Sequence, residues 1–116
     1  MLRPLPTGQR VSDQLAAGWH SYGDGLDCQV VACWNTVLAG VLQHAPIVAT
    51  EIGEFDCGHT YIDPVMAFLD QYAQGYLAWS WGPFSCAVDP ALLTDWAGTP
   101  TQTYGSGFKS HLLSRP

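Results

Sequence analysis

The sequence predicts an α/β fold built on a small parallel sheet. Two observations predict it. Three short apolar runs alternate along the chain with two segments of helical periodicity, and those segments, each about ten to twelve residues long, imply right-handed crossovers between parallel strands. A chain of 116 residues, 47% of them hydrophobic, suits one small globular unit rather than two domains.

Residues 1–14 are rich in Pro and Gly, show no periodicity and read as an irregular segment, leaving 15–116 as the structured unit. Leu15–Tyr22, bounded by Gly23, Asp24 and Gly25, reads as the first strand. After a Cys-containing loop, Trp34, Val37, Leu38, Val41 and Leu42 recur on one helical face, predicting a helix from about Cys33 to Gln43. Pro46 ends it and opens the apolar run Ile47–Ile52, the second strand. Asp63-Pro64 reads as an N-cap followed by a first-turn proline. The second helix then runs to about Tyr72, with Val65, Met66, Phe68, Leu69 and Tyr72 inward and Gly75 beyond its end. Tyr76–Trp81 is the third strand, and Phe108–Leu113 a short amphipathic helix after a long Gly-, Pro- and Thr-rich connection. Parallel sheets are normally covered on both faces, whereas two same-handed crossovers cover only one. The expectation is part of a larger α/β fold.

Composition excludes several function classes. Arg3, Arg10, Lys109 and Arg115 are the only Lys and Arg residues against a net charge of −6, so no basic footprint exists for nucleic acid or anionic lipid. No apolar run approaches a membrane span, and Pro4, Pro6, Gly8, Gln9 and Arg10 interrupt any signal-peptide core. Four cysteines point towards disulfides and an oxidising compartment, with three pairings open. Zinc is the rival reading, but neither C-x2-C nor H-x3-H spacing occurs. Disulfides without a secretion signal suggest that an N-terminal portion is missing and that Met1 is an internal start.

Strand parity proposes where chemistry sits. Gly18, His20 and Tyr22 share a face of the first strand, Ile47, Ala49 and Glu51 one of the second, and Leu77, Trp79 and Trp81 one of the third. Each set ends in a polar or aromatic group at the C-terminal end of its strand, where α/β active sites lie. Glu51 interrupts an apolar strand, where an ionised carboxylate is costly unless paired, so it leads the candidates. Indole faces stack on the C–H faces of sugar rings and polar groups bind hydroxyls, so the set suits a sugar. Core packing is the plainer explanation for each Trp, a core histidine for His20, and a solvated or supporting loop carboxylate for Glu54. His44 and His111 lie at helix ends, where helix-dipole contacts or exposure account for them.

The runs GWHSY, PIVATEIGEFDCGHTYID, GYLAWSWGPFSC and AGTPTQTYGSGFKSHL resemble the C-terminal part of bacterial glycoside hydrolase family 5 enzymes of the cellulase type. The resemblance covers nearly all of the chain from Ala16 and implies a partial (β/α)8 TIM barrel, its strands six to eight with their helices. It implies retaining hydrolysis of β-linked glucans of the endo-β-1,4-glucanase type, with Glu51 as nucleophile. His20 and Tyr22 would bind sugar and tune that carboxylate, Trp79 would be the stacking platform, and Trp81 would extend it. On that barrel Cys57 and Cys86 follow adjacent strands at one end and would pair, leaving Cys28 with Cys33. No cofactor or metal is implied, the partner is a β-glucan, and the full-length parent would be extracellular.

One departure matters. The family's acid/base Glu lies in an Asn-Glu motif, and the single asparagine here, Asn35, precedes Thr36. Retaining hydrolysis needs two carboxyls about 5 Å apart, so the chain alone is expected to be weakly active or inactive. Its uncovered half-barrel face is expected to drive self-association. Three alternatives remain: a family member acting on mannan or xylan, a non-catalytic carbohydrate-binding remnant, and a Cys-His hydrolase using Cys33 or Cys57 with His20 or His59.

Overall fold

A computed structural model describes residues 14–26 and 28–116; most of the segment read as irregular, with Arg3 and Arg10, lies outside the described residues. The elements are β1 (Ala17–Tyr22), α1 (Val31–Leu42), β2 (Ile47–Gly53), α2 (Ile62–Gln71), β3 (Gly75–Ala78) and α3 (Tyr104–Ser114). The strands form one sheet in the order β1-β2-β3, and both pairs are parallel. This is the α/β order that the apolar periodicity predicts.

One face of the sheet carries the core. Ile47, Ala49, Ile52 and Tyr76 pack against Trp34 and Leu38 of α1 and against Ile62, Val65, Met66, Phe68 and Leu69 of α2. Trp34 is the largest of these side chains. Its ring meets Trp19, Tyr61 and Phe68, and its indole N–H donates to the Cys28 carbonyl at 2.8 Å. Two residues assigned inward by periodicity are exposed, Val37 on α1 and Tyr72 just past α2. Tyr72 keeps a tilted ring contact to Phe68, but the chain is already leaving the helix there.

The register of β2 differs from a regular strand. Trp19 pairs with Ala49 and His20 with Glu51, while on the other side Ala49 pairs with Tyr76 and Ile52 with Ala78. Thr50 is therefore one residue too many for both neighbours, a β-bulge. The bulge reverses the alternation of side chains beyond it. Ile47 and Ala49 face the helices, and so does Ile52, whereas Glu51 comes out on the other face. The expectation that Glu51 shares a face with Ile47 and Ala49 is thus corrected by a single inserted residue.

β3 ends at Ala78, three residues before the predicted Trp81. Trp79 N still donates to Ile52 O at 2.8 Å, but Ser80 N turns to Pro90 O and Leu92 N returns a bond to Ser80 O. The returning segment 90–92 takes the hydrogen bonds that β2 would have supplied. The same segment seats α3, which begins four residues before the predicted Phe108. A Cβ on Gly105 would stand 2.0 Å from the Leu92 carbonyl oxygen, so only glycine permits that approach. At the other end of α3, Asp70 lies 2.7 Å from His111 Nε2, accepts from Arg115 Nε at 2.9 Å, and accepts from the Tyr76 hydroxyl at 3.0 Å. Burial and that carboxylate push the Tyr76 phenol up to about 12.

The four cysteines form two disulfides, Cys28–Cys33 joining the loop before α1 to that helix's first turn and Cys57–Cys86 between the loops that follow β2 and β3. With every thiol bonded, the Cys-His hydrolase reading fails, since neither Cys33 nor Cys57 can supply a thiolate nucleophile.

Candidate active site

Three side chains meet where β1 and β2 end. The Tyr22 hydroxyl donates to Glu51 Oε2 at 2.5 Å, and His20 Nδ1 approaches the same oxygen at 3.5 Å. Glu51 is 28% exposed, open enough for a ligand to reach and shielded enough to strengthen its polar contacts. Its second oxygen, Oε1, receives no hydrogen bond among the described residues. One oxygen is held and the other is free. Burial, then the bond to Glu51 and its negative charge, raise the Tyr22 phenol well above its ordinary value. Tyr22 therefore remains a protonated donor at neutral and mildly alkaline pH.

The alternation of β1 brings His20 and Tyr22 out on one face, and the bulge at Thr50 delivers Glu51 to the same face. Gly53 makes room: a Cβ there would lie 2.9 Å from the Tyr22 ring. Phe55 stacks on that ring, with centroids 5.5 Å apart. Phe55 escapes notice in the sequence because its loop has no periodicity.

Trp79 follows β3 at the same end of the sheet, half-exposed, its indole N–H donating to Asp89 Oδ1 at 3.0 Å. Tyr104 fixes this corner. Its buried hydroxyl lies 3.1 Å from Ile52 O and 2.5 Å from Trp79 O, tying the residue after Glu51 to the one bearing the indole. Burial first, and the Glu54 charge second, raise the Tyr104 phenol and keep it a donor. Trp81 is not gathered into this group. It is 70% exposed and lines a separate cavity of about 340 Å³ with Leu92, Pro100, Phe108 and Leu113.

Glu54 departs furthest from its sequence reading. It is 2% exposed and serves as the cap of α2, accepting from Tyr61 N at 2.7 Å and Ile62 N at 2.9 Å. Asp63, read as the N-cap, instead lies inside the first turn, 2.6 Å from His59 Nδ1. Burial raises the Glu54 carboxyl despite those two donors, while the Gly58 N–H and the bond from Glu54 lower its neighbour Asp56. A carboxyl raised in the native state stabilises the fold most below the ordinary glutamate range, and that contribution fades as pH rises through the raised value. Asp56 acts oppositely, its contribution fading as pH falls through its lowered value. Glu54→Gln, which resembles the protonated form, is expected to cost under about 1 kcal/mol and to remove the decline on the alkaline side. Glu54→Ala is expected to cost about 2 kcal/mol by orphaning two helix N–H groups. Urea denaturation between pH 3 and 8 checks both; equal stabilities for the two variants would refute the capping role.

Among the described residues no group of three or more His, Cys, Asp or Glu side chains could hold a metal ion, and no helix is long and apolar enough to cross a membrane.

The fold is that of successive β/α units of a barrel. A β-glucanase from Saccharophagus degradans is similar in structure, with a TM-score of 0.65 at 21% identity, over 84% of this chain and 33% of the glucanase. The chain thus spans about a third of the length of that solved structure. No protein-family model matches the sequence, and no curated protein matches it.

Proposed function

We propose that the chain carries the nucleophile half of a retaining glycoside hydrolase of the cellulase type, resembling family 5 and acting on β-linked glucans. One observation carries the reading: a carboxylate with one oxygen held by a tyrosine hydroxyl and the other unbonded, at the strand ends of a glycoside-hydrolase-like fold. Glu51 Oε1 would attack the anomeric carbon while the glycosidic C–O bond breaks and the leaving oxygen departs with its electron pair. Tyr22 and His20 orient the carboxylate and spread its charge. Trp79 offers an indole face to the reacting ring. The two disulfides and the glucanase-like fold support work in an oxidising, extracellular setting.

The absence of an Asn-Glu pair from the sequence favours one second reading, a carbohydrate-binding remnant without turnover. Activated substrates separate the two because a good leaving group needs no acid. Incubation with 2,4-dinitrophenyl 2-deoxy-2-fluoro-β-cellobioside is expected to give a single covalent adduct by intact mass, absent from Glu51→Gln. A protein with packed tryptophans by near-UV circular dichroism, no adduct, and cellobiose binding unchanged in Glu51→Gln would leave the remnant reading standing instead.

A further inference from the structure

The long connection between β3 and α3 contains a rigid turn whose only large exposed side chain is an indole. Leu93 and Pro100 form its base, Thr94 N donates to Thr99 O at 2.8 Å, and Asp95 Oδ1 accepts from Ala97 N and Thr99 N at 2.9 and 3.2 Å. The Thr99 hydroxyl first, and then the backbone N–H groups of Thr99 and Ala97, hold the Asp95 carboxyl below its ordinary value. The base is anchored in the core through Leu92 and Leu93, while Trp96 at the tip is 72% exposed. Phe84, also exposed, meets Trp96 edge to face with centroids 6.2 Å apart. Keeping so much aromatic surface in water is costly, and the internal hydrogen bonds of this turn fix the backbone that presents it.

We propose that Phe84 and Trp96 form a second sugar-stacking platform, which holds a β-1,4-glucan chain beyond the ring that Glu51 and Trp79 engage. The inference rests on the glycosidase reading of that site. Continuity with the site supports the occupant. Phe84 lies two residues before Cys86, whose disulfide to Cys57 joins its loop to the one that leaves β2 after Gly53 and carries Phe55. Five residues after Phe84, Asp89 accepts the Trp79 indole N–H. The platform and the candidate active site are thus fastened together at the C-terminal end of the sheet. Charge supports it as well. Asp89 and Asp95 flank the aromatics in a chain of net charge −6, which disfavours anionic polymers and leaves a neutral polyhydroxylated chain. Trp96 stays largely exposed beside Phe84, which leaves indole surface for a sugar ring to cover.

The test is the indole N–H spectrum of the intact chain, whose five tryptophans give five ¹⁵N–¹H signals, titrated with cellobiose and with cellohexaose. The Trp79 signal is expected to move with both sugars and the Trp96 signal with cellohexaose alone. Trp96→Ala is expected to bind cellohexaose about tenfold more weakly and cellobiose within twofold of the parent. The remaining indole signals, unmoved in that variant, report that it is folded. If Trp79 responds and Trp96 does not, the platform is overturned while the active-site reading stands. If no indole responds to either sugar, the active-site reading falls and the platform with it.

Discussion

Hydrolysis of 2,4-dinitrophenyl β-cellobioside is expected to fall to the uncatalysed rate in Glu51→Gln, a loss of at least ~10³-fold from whatever rate the parent chain shows. In Tyr22→Phe the same rate is expected to drop by roughly ten- to a hundredfold, the worth of one hydrogen bond to a charged group. The difference between the two follows from the geometry. Gln retains the shape of Glu51 but offers no negative oxygen to the anomeric carbon. Phe leaves the attacking oxygen in place and removes only the 2.5 Å bond that orients its partner. Because the Tyr22 phenol is raised, its contribution should persist into alkaline buffer, so the parent-to-Phe ratio should be constant between pH 6 and 9. Equal rates for all three proteins, measured by dinitrophenolate release, would remove Glu51 from the chemistry.

Trp34→Ala carries the largest expected effect on stability, about 3–5 kcal/mol. The indole is almost wholly buried at the junction of β1, α1 and α2, with three aromatic neighbours that cannot all collapse into the space it would leave. Its N–H also anchors the Cys28 carbonyl, so the loop before α1 loses its inner attachment in the variant. For a domain near 100 residues a loss of that size lowers the midpoint by more than ~10 °C. Thermal unfolding followed by near-UV circular dichroism measures it. A drop of only a few degrees would mean that the core is not organised around this ring.

The element order was legible because burial on one face leaves a periodic trace. Trp34 and Leu38 on α1 and Val65, Met66, Phe68 and Leu69 on α2 stand where the helical spacing puts them. Features that depend on distant partners left no trace. The end of β3 is decided by Pro90 and Leu92, more than ten residues away, and the start of α3 by the closeness of Gly105 to Leu92. The cap of α2 comes from Glu54, eight residues before Ile62, beyond the local window in which Asp63-Pro64 looked sufficient. At the site, the sequence marked His20, Tyr22, Glu51 and Trp79 by their positions at strand ends. It could not mark Tyr104, whose role exists only once the Ile52 and Trp79 carbonyls are side by side.

Thr50 makes β2 answer to two phases at once. Upstream of it the strand keeps time with the hydrophobic core, and downstream with the open face, so Glu51 and Ile52 can be neighbours in sequence and occupy opposite environments. Were Thr50 paired in a regular ladder instead of bulged, composition, helices and net charge would all be unchanged. Such pairing would exchange the destinations of the carboxylate and the isoleucine, burying an acid among the helices and turning an aliphatic side chain towards solvent. The bulged path of the backbone between Ala49 and Glu51 is thus held by the chemistry on one side and the core on the other. Register, rather than residue identity, is what selection must guard at that step.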